Sequence, residues 1–86
     1  MTVNPKNLKD EDLLNYFIYD CKDAELSSLA RLVPYAMCNK SQKEHNAILR
    51  KVVNGAKLKA IYEDIKPPKG AIFIGDIMDG TLYLIP

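Results

Sequence analysis

The 86-residue sequence carries 12 Lys/Arg against 11 Asp/Glu, a formal net charge of +1, and 48% of its residues are hydrophobic. A chain of this length buries about 60–70% of the surface that its unfolded form exposes, which builds one modest core and excludes a second domain. The apolar fraction excludes a disordered chain, and the small core disfavours a catalytic domain with a deep cleft. Residues 1–86 are therefore predicted to form one small, non-enzymatic domain.

The cellular location is predicted from two missing features. Residues 1–7 have no apolar core of the kind that a secretory signal needs, and no stretch of the sequence approaches the roughly 20 apolar residues of a membrane span. We therefore expect a cytoplasmic protein with no membrane partner. In that compartment Cys21 and Cys38 are expected to be reduced thiols.

Two helices are predicted in the first part of the chain, over residues 8–21 and 23–33. Apolar residues recur in both at the spacing of one helix face. Asn7 is the expected N-cap of the first helix and Asp23 that of the second. Because proline removes a backbone donor and disfavours helical geometry in the residue before it, Pro34 is expected to end or kink the second helix.

The third predicted helix, over residues 41–54, has the clearest start signal. Ser41 and Glu44 have the spacing of a capping box, and Gly55 is the expected left-handed cap at the other end. Beyond Gly55 the apolar stripe changes phase, so that one straight helix could not bury both stripes. The phase change predicts a short fourth helix over residues 57–65.

A proline-rich linker, residues 66–70, separates the helical part (residues 8–65) from a predicted β-hairpin over residues 71–85. Asp79-Gly80 between two β-rich runs is a strong hairpin signal. The predicted fold class is α+β, with three to four short helices followed by a C-terminal hairpin. Ten residues are predicted for the core: Leu14, Phe17, Ile18, Leu26, Leu29, Val33, Ile48, Val52, Ile61 and Phe73.

No pattern in the sequence indicates catalysis, a cofactor or a metal site. His45 is the single histidine, and its polar neighbours predict a solvent-facing position in the first turn of a helix. Neither cysteine lies in a nucleophilic motif, and a structural zinc site needs four Cys/His ligands in short paired spacings. We expect no catalytic residue, no cofactor and no metal.

The middle of the chain is basic, since residues 38–69 hold eight Lys/Arg and three Asp/Glu. Lys43, Arg50, Lys51 and Lys57 are the candidate contacts to nucleic acid if this segment binds phosphates. Helices followed by a hairpin, over residues 23–85, resemble winged-helix domains and the small repressors of temperate phages. This resemblance implies a DNA-binding regulator in which a helix enters the major groove and a hairpin contacts the backbone or forms a dimer.

The predicted hairpin is apolar on both faces, whereas a two-stranded sheet over a helical core needs only one apolar face. The second face, bearing Ile74, Met78, Tyr83 and Ile85, is therefore predicted to be covered by another protein or by a second copy. The first hypothesis for function is a small regulator or inhibitor that binds another protein, with a homodimer as one form of that association. A DNA-binding regulator is the alternative, and an oligomeric protein that binds a small molecule, suggested by the five tyrosines, is the third.

Overall fold

A computed structural model describes residues 4–62 and 65–86. Three helices come first in the chain and a three-stranded antiparallel sheet follows, which confirms the predicted α+β class. The sheet has one strand more than the predicted hairpin. In the described ranges, no helix is both long enough and apolar enough to cross a membrane.

The first helix, α1 (Leu13–Asn15), is one part of a longer helical run. A 3-10 turn, Asp10–Asp12, leads into it and a π turn, Tyr16–Asp20, continues it. Asn7 does not cap this run, because it ends a separate 3-10 turn, Pro5–Asn7. The predicted N-cap is therefore wrong.

The second helix, α2 (Ala24–Ala36), begins as predicted, with the Asp23 carboxylate accepting from the Leu26 backbone N–H at 3.0 Å. The helix does not end at Pro34, so the predicted end at residue 33 is wrong, because Pro34 lies inside the helix. A proline at this position removes only one hydrogen bond, the one to the carbonyl of Ala30, and only two helical residues follow it.

The third helix, α3 (Gln42–Val53), also begins as predicted, with Ser41 Oγ accepting from the Glu44 backbone N–H at 3.3 Å. Gly55 has a φ of 115°, which confirms the left-handed chain reversal at this point. The Ser41 cap and the Gly55 conformation depend only on the nearby backbone, and both are present in the structure.

The fourth predicted helix is wrong, because strand β1 (Lys57–Tyr62) occupies its first part. Residues 63–64, in the same predicted helix, lie outside the described residues. Leu58 is buried while its neighbours Lys57 and Lys59 are exposed, so this segment alternates as a half-buried strand does. A short apolar run fits either period, and pairing with the rest of the sheet decides between them.

The other strands are β2 (Ile72–Ile77) and β3 (Gly80–Ile85), and the strand order is β1-β3-β2. Both edge strands are antiparallel to β3 and therefore parallel to each other. The connection between them must therefore return from one end of the sheet to the other. Pro68 belongs to this connection and lies near β1, since it lines the same cavity as Lys59.

The hairpin joins β2 to β3 one residue earlier than predicted. Met78 and Asp79 form the turn, and Ile77 pairs with Gly80. Asp79 takes the positive φ, 64°, which aspartate tolerates better than most residues. Gly80 serves a different purpose, because a Cβ there would lie against the backbone carbonyl of Ile61 in β1.

A β-bulge between Phe73 and Gly75 reverses two of the predicted side-chain positions. Phe73, predicted in the core, is 61% exposed on the face opposite the helices. Ile74, predicted on the outer face, is 8% exposed and belongs to the core. The extra residue of a bulge interrupts the alternation on which both predictions depended.

The core lies between the helices and the inner face of the sheet. Of the predicted core residues, Phe17, Val33 and Val52 are buried there. Ile61 is also buried, but its register places it with Lys59 on the outer face of the sheet, outside this core. Leu14, Leu26, Leu29 and Ile48 are partly buried and pack against the core, and Ile18 is half-buried. Nine further hydrophobic residues of the described chain are buried in the core: Leu13, Ala30, Met37, Leu49, Leu58, Ile74, Ile77, Leu82 and Leu84.

Candidate functional site

The four predicted interface residues do not share one surface. Ile74 is in the core, and Met78 is 74% exposed at the hairpin turn. Tyr83 and Ile85 are half-buried on the outer face of the sheet, opposite the helices. The structure thus separates the predicted interface into a turn residue and a pair on the outer face.

The turn residue belongs to an apolar groove at one end of the molecule. The groove has a volume of about 380 Å³ and an almost entirely apolar lining. Its lining residues come from α2, β1 and the β2 end of the hairpin: Leu32, Tyr35, Tyr62, Ile77 and Met78. We call this surface the apolar groove.

The side chains of the apolar groove divide into a floor and a rim. Ile77 is 8% exposed and Leu32 is half-buried, so they form the floor. Tyr35, Tyr62 and Met78 are exposed by 55%, 46% and 74%, and they form the rim. This rim exposes three large side chains around one concave apolar surface.

A close approach of α2 to β2 holds the groove together. A Cβ at Gly75 would collide with the carbonyl oxygen of Ala36 and would lie 2.7 Å from its carbonyl carbon. Because Gly75 has no side chain, the last turn of α2 can lie directly on the strand. Tyr35 is in that turn and Ile77 is two residues beyond Gly75.

Sequence reasoning missed most of this groove because two elements differ from their predicted form. Tyr35 belongs to it because α2 continues through Pro34. Tyr62 belongs to it because residues 57–62 form a strand. The alternation of Lys57 and Lys59 with Leu58 and Ala60 was the available signal for that strand.

Arg50, one of the four candidate nucleic-acid contacts, is engaged within the protein. Its guanidinium donates to Asp10 Oδ1 at 2.8 Å from Nε, and the ion pair between the two side chains is 2.7 Å. It also donates to the carbonyls of Leu8 at 2.6 Å, Pro5 at 3.4 Å and Lys6 at 3.5 Å. Arg50 therefore fastens the N-terminal segment to α3, and this arrangement offers little of the guanidinium to a phosphate.

The three lysines among those candidates are not buried but lie on two separate surfaces. Lys43 and Lys51 share a face of α3, separated by two turns or about 12 Å along the axis. Lys57 lies on the outer face of the sheet. The hairpin tip carries Asp79 rather than a basic residue.

His45 is buried, at 8% exposed, so its predicted solvent-facing position is wrong. Its Nε2 forms a hydrogen bond with the carbonyl of Met37, which ties α3 to the end of α2. Its Nδ1 is buried without a hydrogen-bond partner in the described part of the chain. Among those residues there is also no cluster of three His, Cys, Asp or Glu that would hold a metal ion.

The cysteines are free thiols, with Cys38 exposed and Cys21 half-buried in the structure. Near Cys21, burial of the Tyr16 hydroxyl raises the pKa of that tyrosine, and the charges of Cys21 and Asp20 raise it further. Tyr16 and Asp20 are the first and last residues of the π turn, and Cys21 follows it.

A larger cavity, about 550 Å³, lies along β1 and is lined by charged as well as apolar side chains, including Glu25, Lys57 and Lys59. Its charged lining is ordinary for a solvated strand edge, whereas a cluster of exposed large apolar side chains is not. We therefore take the apolar groove as the candidate functional site.

Comparison with models of known protein families, with curated proteins and with solved structures finds no match to this chain.

Proposed function

We propose that this protein is a small non-enzymatic regulator or inhibitor that acts by binding another protein chain through the apolar groove. The observation that carries the proposal is the exposure of the rim. Tyr35, Tyr62 and Met78, each about half or more exposed, converge on one apolar cavity. Tyrosine and methionine are enriched at protein interfaces, and Met adapts its shape to an irregular partner.

The first partner that we propose is a second copy of the chain. In a two-fold interface the same surface lies on both sides, so any charge near the axis faces a like charge. The five residues that line the groove carry none. Met78 protrudes beside the cavity, so each copy can insert its Met78 into the groove of the other.

Sedimentation equilibrium over about 1 μM to 1 mM protein tests this pairing. We expect the wild-type mass to rise with concentration toward twice the 9.7 kDa of one chain. Met78→Glu should remain monomeric, because it places a charge in each apolar interface. Tyr19→Ser is the matched control, because Tyr19 is 78% exposed and outside the groove.

Two results would contradict the pairing. A wild-type chain that stays monomeric throughout this range has no copy in the groove, and a dimer that survives Met78→Glu uses another surface. Another protein is then the remaining occupant of the groove. The test is capture of a defined partner by the wild type and by Tyr19→Ser but not by Met78→Glu, with and without nuclease. If the Met78→Glu variant still captures the partner, the partner does not bind in the groove.

A winged-helix-like DNA-binding regulator is the alternative, and the lysine row on α3 is the observation that favours it. Lys43 and Lys51 are exposed on the helix that follows the α2–α3 turn. If they contact phosphates, binding of a labelled duplex should weaken steeply with salt, and Lys51→Gln should flatten the dependence by about one unit of slope. Binding no tighter than about 0.1 mM near physiological salt would favour the protein-partner proposal.

A further inference from the structure

The outer face of the sheet carries an aromatic pair beside a lysine row. In the register of the sheet, Lys59, Tyr83 and Phe73 lie side by side across the three strands. Paired residues of neighbouring strands point to the same face, so these three side chains share the outer face. The next pair along the sheet, Lys57 and Ile85, extends this surface. We call these five residues the aromatic face.

The aromatic pair is accessible from the solvent. Phe73 and Tyr83 pack edge to face, with ring centroids 6.2 Å apart and an interplanar angle of 78°. Phe73 is 61% exposed although it lies within a strand, and Tyr83 is half-buried. The pair therefore presents an uncovered ring rather than a contact between two buried residues.

We propose that the aromatic face binds single-stranded nucleic acid. Base faces stack on exposed aromatic side chains, and lysines attract the phosphates that connect the bases. A duplex does not fit this chemistry, because its base faces are already stacked on each other. An apolar protein surface is a poorer partner for the aromatic face, because Lys57 and Lys59 next to the rings would lose water without gaining a partner.

The charges on the outer face also determine how a bound nucleic-acid strand is oriented on the sheet. Lys57 and Lys59 lie on β1, and Asp76 lies on β2 on the other side of the face, paired with Thr81. Phosphates are attracted toward β1 and repelled from β2. The backbone of the bound strand therefore runs along β1, with its bases directed across β3 to Phe73. Two stacked bases fill the aromatic pair.

Fluorescence anisotropy of a labelled oligothymidylate of about twelve nucleotides at low salt tests the proposal with four variants. Phe73→Leu keeps an apolar side chain but loses the ring, and Phe73→Tyr keeps the ring. Lys59→Gln removes a charge from the aromatic face. Lys9→Gln removes the same charge from the N-terminal segment, which packs on α3 and not on this face. Far-ultraviolet circular dichroism shows whether each variant keeps the fold.

We expect Phe73→Leu to weaken binding by roughly 10-fold or more, and Phe73→Tyr to bind as the wild type does. Lys59→Gln should lower the slope of log affinity against log salt by about 0.7, the value for one phosphate contact on a single strand, and Lys9→Gln should leave the slope unchanged.

Three outcomes would overturn the proposal. The first is wild-type binding no tighter than about 0.1 mM at low salt, and the second is equal effects of Phe73→Leu and Phe73→Tyr. The third is an unlabelled duplex of the same length that competes as well as the single strand. A protein mass that falls on Phe73→Leu, with no binding of the oligonucleotide, assigns the face to a second copy instead. Phe73 does not line the groove, so the separate effects of Phe73→Leu and Met78→Glu on the protein mass distinguish the two surfaces.

Discussion

Replacing Gly75 by alanine should disrupt the contact on which the apolar groove depends. The added Cβ would lie 2.7 Å from the carbonyl carbon of Ala36 and still closer to its oxygen, whereas real Cβ atoms essentially never come within 3.0 Å of such neighbours. Both colliding atoms belong to the backbone of α2, so no side-chain rotation relieves the clash. The end of α2 must move away from β2.

The size of the effect follows from that displacement. Carbon atoms prefer separations of about 3.5–4.0 Å, so the helix end must retreat by about 1 Å. Overpacking of this kind costs about 1–3 kcal/mol, and here the upper end applies because helix and strand move as units. A domain of this length has about 4–13 kcal/mol of stability. We therefore expect Gly75→Ala to lose about 3 kcal/mol.

Urea denaturation followed by far-ultraviolet circular dichroism measures the loss, and Gly55→Ala is the control. Gly55 has a φ of 115° and a Cβ added there would meet nothing within 4 Å, so its variant has backbone strain without a clash. That strain costs about 1–2 kcal/mol. A Gly75→Ala protein as stable as the Gly55→Ala protein would refute the close approach of α2 to β2. A variant that does not fold at all agrees with it.

Three further predictions concern the helical part. Arg50→Lys keeps the positive charge but loses the planar guanidinium that donates to several acceptors at once. We therefore expect about 1–2 kcal/mol lower stability and faster hydrogen exchange in residues 5–12; unchanged exchange would refute the attachment of the N-terminal segment by Arg50. Ser41→Ala should cost about 1 kcal/mol in urea denaturation through loss of the N-cap, and no loss would contradict the cap. In an alkaline absorbance titration, the step that Tyr16→Phe removes should lie above the ordinary pKa range of tyrosine, because burial raises the pKa of Tyr16. Since the folded chain then holds the Tyr16 proton more tightly than the unfolded chain does, the fold should lose stability as pH rises from the ordinary tyrosine pKa through the raised one; a Tyr16 step at the ordinary pKa would contradict the burial.

The elements that could be predicted from the sequence are those whose signals are local. The side chains of Asp23 and Ser41 accept from backbone N–H groups three residues later, and Gly55 reverses the chain within its own dihedral angles. None of these depends on distant residues. They therefore form as the sequence indicates, and with them the starts of α2 and α3.

The elements that could not be predicted are decided by contacts between distant parts of the chain. β1 becomes a strand because Leu58 and Ala60 pair with Leu84 and Leu82, which are far along the sequence. The sequence of β1 alone fits a helix equally well. The apolar groove and the aromatic face both include residues of β1. Neither surface could therefore be predicted in full from the sequence.

Glycine positions explain the remaining differences in the hairpin. Asp79-Gly80 predicts a turn because glycine favours a positive φ, yet the positive φ is at Asp79. Gly80 instead lies against the backbone of β1, as Gly75 lies against that of α2. Sequence alone does not distinguish a glycine required for its dihedral angles from one required for a close approach.

The two proposed surfaces lie on opposite sides of the same sheet because of the alternation of β1. Tyr62 faces the groove and Lys59, three residues earlier, faces outward beside Tyr83. A copy seated in the groove therefore leaves the aromatic face of both chains uncovered. In a two-fold dimer this arrangement provides two equivalent faces, and a single strand long enough to reach both would bind more tightly than either face alone allows. Met78→Glu should then lower affinity only for long oligonucleotides, whereas Phe73→Leu should lower it for strands of every length.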